Sequence, residues 1–124
     1  MKLSLFVIFT SQLLEMQAFY ETLGFKFKTE QHGDGPEHLS TQLTESSVLE
    51  LYPARTSNAG QFRMEFKSGD VGGINRKLID NGWAKNIGYR NGQNGLYLID
   101  PDGNEIVINP PKFPVKFLSI VEVE

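Results

Sequence analysis

The chain has 124 residues, 40% hydrophobic and 22% charged, the size and balance of one soluble-type globular domain. A net charge of −3 without a Lys/Arg cluster argues against a nucleic-acid partner, because phosphate contacts demand a basic surface. The absence of cysteine excludes a disulfide framework, a thiolate metal site and a cysteine nucleophile, and fits a cytoplasmic location.

In chain order, residues 3–10 read as a strand. Lys2 followed by Leu3 to Phe9 imitates a short signal peptide, but the run passes into a patterned helix with no small-residue cleavage site. No apolar run approaches the ~18 residues of a membrane span. Ser11 is a candidate helix N-cap, and Leu13, Met16, Phe19/Tyr20 and Leu23 recur at helical spacing. Gly24 supplies the left-handed residue that ends the helix. Phe25 to Glu30 reads as a strand and His32-Gly33-Asp34-Gly35-Pro36 as a turn, with further strands near 38–44 and 47–52.

After a turn-rich linker, the order repeats. Phe62 to Lys67 is a strand with strict alternation: Phe62, Met64 and Phe66 on one face, Arg63, Glu65 and Lys67 on the other. Asp70 is placed to cap a helix carrying Val71, Ile74 and Leu78, although Gly72-Gly73 weakens its start. Strands follow near 84–90, 95–99 and 104–109, and Asp100-Pro101-Asp102-Gly103 is a tight turn, which makes both aspartates structural. In the last strand Ile106 and Ile108 face the helix, while Glu105, Val107 and Asn109 share the other side. Gly24 and Gly82 lie 58 residues apart (82 − 24), and Pro53 and Pro110 lie 57 apart (110 − 53). A repeat of this period is architectural, since neither half is long enough to bury a face alone. The organisation expected is α+β: module one 3–53, linker 54–60, module two 61–111 and a C-terminal extension 112–124, in which Leu118 to Val123 would add an edge strand or reach a partner subunit.

Phe19-Tyr20-Glu21-Thr22-Leu23-Gly24-Phe25, Asp70-Val71 and Asp100-Pro101-Asp102-Gly103-Asn104, in this order and in a repeated frame, resemble the vicinal-oxygen-chelate superfamily, the glyoxalase/bleomycin-resistance/extradiol-dioxygenase group. The resemblance covers roughly residues 3–111. It implies two tandem βαβββ modules whose mixed sheets curl around a cup with the helices outside, and commonly a homodimer in which modules of two chains build the cups. Metal-using members draw one His, Gln or Glu ligand from the first and last strand of each module. Carried onto this chain, those positions are Leu5, Glu50, Arg63 and Val107. Leu and Val have no donor atoms and Arg carries a permanent positive charge, so no metal or other cofactor is expected there.

The chain is therefore expected to be a metal-independent binder of a small organic ligand, of the bleomycin-resistance type, rather than an enzyme. Its cup would be part apolar and part charged: Leu5, Val7 and Val107 as walls, and Glu50, Glu65 and Glu105 gathered near Arg63. Arg63 either pairs with Glu50 or forks onto a ligand carboxylate or phosphate. Glu50 beside an arginine would be a poor base. Tyr52 is a stacking candidate. His38 reads first as a strand-start, solvent-facing histidine and second as a ligand contact or acid/base. An off-centre metal site through His38, Glu50 and Glu65 has no ligand spacing to argue for it. The alternative from the same superfamily is a lyase or isomerase, metal-dependent through unusual ligands or metal-free through Glu50, Glu65 or His38.

Overall fold

A computed structural model describes residues 1–57, 62–88 and 95–111. Among these residues, eight strands and two α-helices run in the order β1 (Leu5–Thr10), α1 (Leu13–Thr22), β2 (Lys28–Glu30), β3 (His38–Thr44), β4 (Ser47–Pro53), β5 (Arg63–Lys67), α2 (Val71–Asp80), β6 (Ile87–Gly88), β7 (Leu96–Ile99) and β8 (Glu105–Asn109). They form two four-stranded mixed sheets of identical plan, β1-β4-β3-β2 and β5-β8-β7-β6. In each, the first and last strands of the half pair in parallel and the rest antiparallel.

The repeat reaches down to the helix ends. At the end of α1, the Gly24 amide donates to Glu21 and the Phe25 amide to Tyr20. At the end of α2, the Gly82 amide donates to Ile79 and the Trp83 amide to Leu78. Both are the paired bonds of a glycine-terminated helix, and both glycines take positive φ, 116° and 86°. The two starts differ. Asp70 caps α2 by accepting from the Gly73 amide at 3.2 Å. Ser11 does not cap α1; Gln12 occupies that position, because the Ser11 amide and hydroxyl are engaged by Ser57 at 2.8 and 3.1 Å.

Two expected strands are shorter than their sequences suggest. Residues 25–27 lie outside β2 because Phe25 and Phe27 pack against the core, Phe25 with its ring 5.3 Å from that of Phe66. The segment expected as strand from 84 opens instead with a 3-10 turn, Ala84–Asn86, leaving two described strand residues. The linker's end and the C-terminal extension, 58–61 and 112–124, lie outside the described residues, as do 89–94.

One contiguous apolar core joins the halves: Ile8, Phe19, Leu49 and Leu51 with Leu78, Leu98 and Ile106, among others. Each helix buries one face, Met16, Phe19 and Tyr20 on α1 and Ile74 and Leu78 on α2. Aromatic edges cross between halves, Phe6 on Phe62 at 5.2 Å and Phe19 on Trp83 at 5.3 Å. Polar bonds cross as well: the Tyr20 hydroxyl donates to Asp100 at 2.7 Å, and Gln12 donates to the Pro101 carbonyl and Asp102. The expected turn at 100–103 is closed by the Gly103 amide on the Asp100 carbonyl at 2.9 Å, and both aspartates are buried. No helix among the described residues is long and apolar enough to cross a membrane.

Gly95 precedes β7 where a Cβ would run into the Ile108 carbonyl and the Asn109 side chain of β8. Backbone cannot yield as a flexible side chain does. Gly95→Ala is expected to cost about 2 kcal/mol and lower Tm by about 8 °C. A melting curve matching wild type would show that β7 and β8 tolerate separation there.

Candidate functional site

The first sheet builds its open face by register. Residues directly opposite one another share a face. Val7 and Ser40 lie opposite Glu50, Lys28 opposite Ser40, Glu30 opposite His38 and Phe9 opposite Tyr52. Alternation then turns Ile8, Leu49 and Leu51 into the core and leaves Leu5, Val7, Glu50, Tyr52, His38 and Glu30 on the other side. A hollow of about 660 Å³ opens over this face, with Leu5, Phe27, Glu30, His32, Ser40 and Glu50 in its lining.

On the same face of the sheet, outside the lining of the hollow, sits His38, 1% exposed. It opens β3 as expected but does not face solvent. Its ring stacks on Tyr52, centroids 4.1 Å apart and planes within 9°. Nδ1 lies 3.3 Å from the Pro36 carbonyl, which can only accept, so Nδ1 is the donor there. Nε2 faces Glu30 Oε1 and Glu50 Oε2, each at 3.5 Å, yet makes no hydrogen bond among the described residues. His32 completes the group, its Nε2 3.9 Å from the same Glu30 oxygen. Glu30 also meets Lys28 at 3.3 Å, whereas His38 is the only basic side chain within 4 Å of Glu50 among the described residues. The Tyr52 hydroxyl is pushed above its ordinary pKa, by desolvation first and then by Glu50 and Glu30.

The second sheet carries a separate cluster. Arg63 Nε donates to Glu105 Oε1 at 2.8 Å across β5 and β8, and its guanidinium lies 3.9 Å from Glu65. That hydrogen bond is the main cause raising the Arg63 pKa. The expected Arg63–Glu50 pair is absent among the described residues, because the residue opposite Arg63 is Glu105. Val107 shares the Arg63 face but is buried.

Of the nine site residues expected from sequence, Leu5, Val7, His38, Glu50 and Tyr52 thus lie together on the first sheet. Of these five, Leu5 and Glu50 line the hollow; Arg63, Glu65, Glu105 and Val107 stand apart on the second sheet and do not line it. Of the four positions expected from the resemblance to stand where metal ligands would, Leu5 and Val107 carry no donor atom, and Arg63 is paired with Glu65 and Glu105. The off-centre grouping differs from expectation too, since Glu65 is absent from it and Glu30 and His32 are present. The missed signal was the hairpin. Glu30 and His32 alternate onto one face, and the 31–37 turn folds Glu30 opposite His38.

No family model and no curated protein matches the chain. Solved structures do. TnmS3, an antibiotic-binding protein from Streptomyces sp. CB03234, superposes with a TM-score of 0.66 at 24% identity, over 90% of this chain and 97% of its own. A glyoxalase/bleomycin resistance protein from the same organism gives 0.58 at 23%, over 87% and 99%. The trypanothione-dependent glyoxalase I of Leishmania major gives 0.66 at 18%, over 99% and 94%. With its duplicated β-α-β-β-β order and these superpositions, the chain has the vicinal-oxygen-chelate fold of the glyoxalase/bleomycin-resistance proteins.

Proposed function

We propose that the protein binds a small organic molecule in the hollow of its first sheet, without a metal at the superfamily's four usual positions, and that it sequesters this ligand as a cytoplasmic homodimer. The observation that carries the reading is the composition of the hollow. Leu5 and Phe27 give it apolar wall, and Glu30, Ser40 and Glu50 give it a few polar anchors, the mixture that orients an organic ligand. An antibiotic-binding protein of the same fold supports it. Leu5 and Phe9, exposed on the same face of edge strand β1, offer apolar surface for a ligand or a second copy.

A thermal-shift screen of aromatic antibiotics, dicarboxylates and thiol conjugates, run in EDTA, tests this reading. Binding of one class raises Tm. Glu50→Gln and Tyr52→Ala then each weaken that ligand about tenfold, some 1.4 kcal/mol. If a second copy closes the hollow with its own second sheet, Arg63→Ala weakens the ligand comparably, and sedimentation gives a dimer. An Arg63→Ala effect no larger than that of Lys77→Ala on α2 removes Arg63 from the site. A screen without any stabilising compound counts against binding altogether.

A second reading, lyase or isomerase chemistry, is favoured by one observation: His38 Nε2 is buried without a hydrogen-bond partner among the described residues and faces two carboxylate oxygens, an arrangement suited to acid/base work. It predicts deuterium exchange at an acidic C–H of a bound ligand that His38→Gln abolishes. Exchange rates equal in wild type and variant would leave binding as the whole function.

A further inference from the structure

We propose that the first sheet holds one divalent transition-metal ion, of the zinc class, between Glu30, His32, His38 and Glu50. The site lies in the hollow of the proposed function but takes a different ligand, and it shares only Glu50 with the superfamily's four metal positions.

Each of the four side chains offers one donor atom, and all four donors lie within 4.8 Å of one another. The set is two imidazole nitrogens and two carboxylate oxygens, the donors that four-coordinate zinc accepts. Zinc bonds of about 2.0–2.1 Å in a tetrahedron put neighbouring donors about 3.3 Å apart. His38 Nε2 stands 3.5 Å from Glu30 Oε1 and 3.5 Å from Glu50 Oε2, and His32 Nε2 stands 3.9 Å from the Glu30 oxygen. Three edges of the tetrahedron are therefore nearly in place. His32, on an exposed turn, needs only a small side-chain adjustment to complete it.

His38 supplies an independent reason. Its Nε2 is fully buried without a hydrogen-bond partner, although two carboxylate oxygens face it. With Nδ1 turned to the Pro36 carbonyl, Nε2 points between the two carboxylates. Two carboxylate oxygens and one ring nitrogen converging on one point form a place that a positive charge fits. A dication neutralises the two carboxylates and satisfies the orphaned nitrogen at once. The Nδ1–carbonyl contact is also the outer-shell bond that orients metal-binding histidines. The 660 Å³ hollow, whose lining includes Glu30, His32 and Glu50, gives the ion a route from solvent.

The test is calorimetric titration of zinc chloride alone into protein stripped with EDTA and dialysed, with cobalt(II) as a spectroscopic substitute. One ion per chain is expected, with visible cobalt absorption of tetrahedral intensity. Glu30→Gln and His32→Ala should each weaken zinc by more than about tenfold, since even outer-shell losses cost that much. Glu15→Gln on α1 should not. His38→Gln should abolish binding; because that side chain is buried, the partly exposed Glu30 and exposed His32 keep the test meaningful if this variant misfolds. No saturable zinc uptake, or uptake unchanged in both Glu30→Gln and His32→Ala, overturns the proposal. The organic-ligand screen runs in EDTA, so the two ideas fail separately: zinc without an organic ligand sinks only the binding function, and an organic ligand without zinc sinks only the metal site.

Discussion

Asp100→Ala is expected to lower stability by about 4 kcal/mol, well beyond the usual cost of a single substitution. One buried carboxylate gathers four donors. Oδ2 accepts the Tyr20 hydroxyl at 2.7 Å and the Asn104 side-chain amide at 3.0 Å; Oδ1 accepts the Asp102 and Asn104 amides, both at 2.9 Å. Removing it strands four donors in a place without solvent, and a stranded buried donor costs more than its hydrogen bond contributes. The loss also reaches across the molecule. Tyr20 belongs to the helix of the first half and Asp100 to the turn of the second, so the bond fastens one half to the other. Burial raises the Asp100 pKa, against the lowering by its donors, which marks a group held by hydrogen bonds rather than by a neighbouring cation. Urea unfolding should show a lower midpoint with an unchanged slope. A variant within about 1 kcal/mol of wild type would mean that the turn re-forms without its carboxylate.

The second large effect is alkaline. Desolvation first, and then Asp100, raise the Tyr20 pKa far above its ordinary value. A raised pKa means that the folded state holds a proton which the unfolded chain releases near pH 10. The contribution to stability is therefore whole below about pH 10 and is lost as pH rises beyond it, at about 1.4 kcal/mol per pH unit from this group. Tyr20→Phe should abolish that part of the slope while costing about 1–3 kcal/mol at neutral pH for the lost bond to Asp100. Unfolding curves between about pH 8 and pH 11 for both proteins decide it. Equal alkaline slopes would show that Tyr20 reaches solvent before the fold opens.

Much of the scaffold was legible because it depends on neighbours in sequence. The Leu13, Met16, Phe19/Tyr20 and Leu23 stripe, the two terminating glycines, the Asp70 cap and the 100–103 turn all act within a few residues of themselves. The failures involve distant partners. Ser11 carries the chemistry of a cap, but Ser57 lies beside it. Arg63 invites a pairing with Glu50 in a shared cup, but the parallel register of β5 on β8 puts Glu105 opposite it at hydrogen-bonding distance. His38 at a strand start reads as exposed, and is instead sealed under the Tyr52 ring.

The sequence by itself determined the duplicated order and the faces of its strands, since periodicity is a local property. Only the tertiary structure decided which charges meet. A hairpin folding Glu30 and His32 toward His38, and β4 passing beside β3, bring together donors drawn from residues 30 to 50 whose linear spacing resembles no metal motif. Strand register is set by burying one face of the sheet, and the partners on the opposite face follow from that burial rather than from any signal of their own.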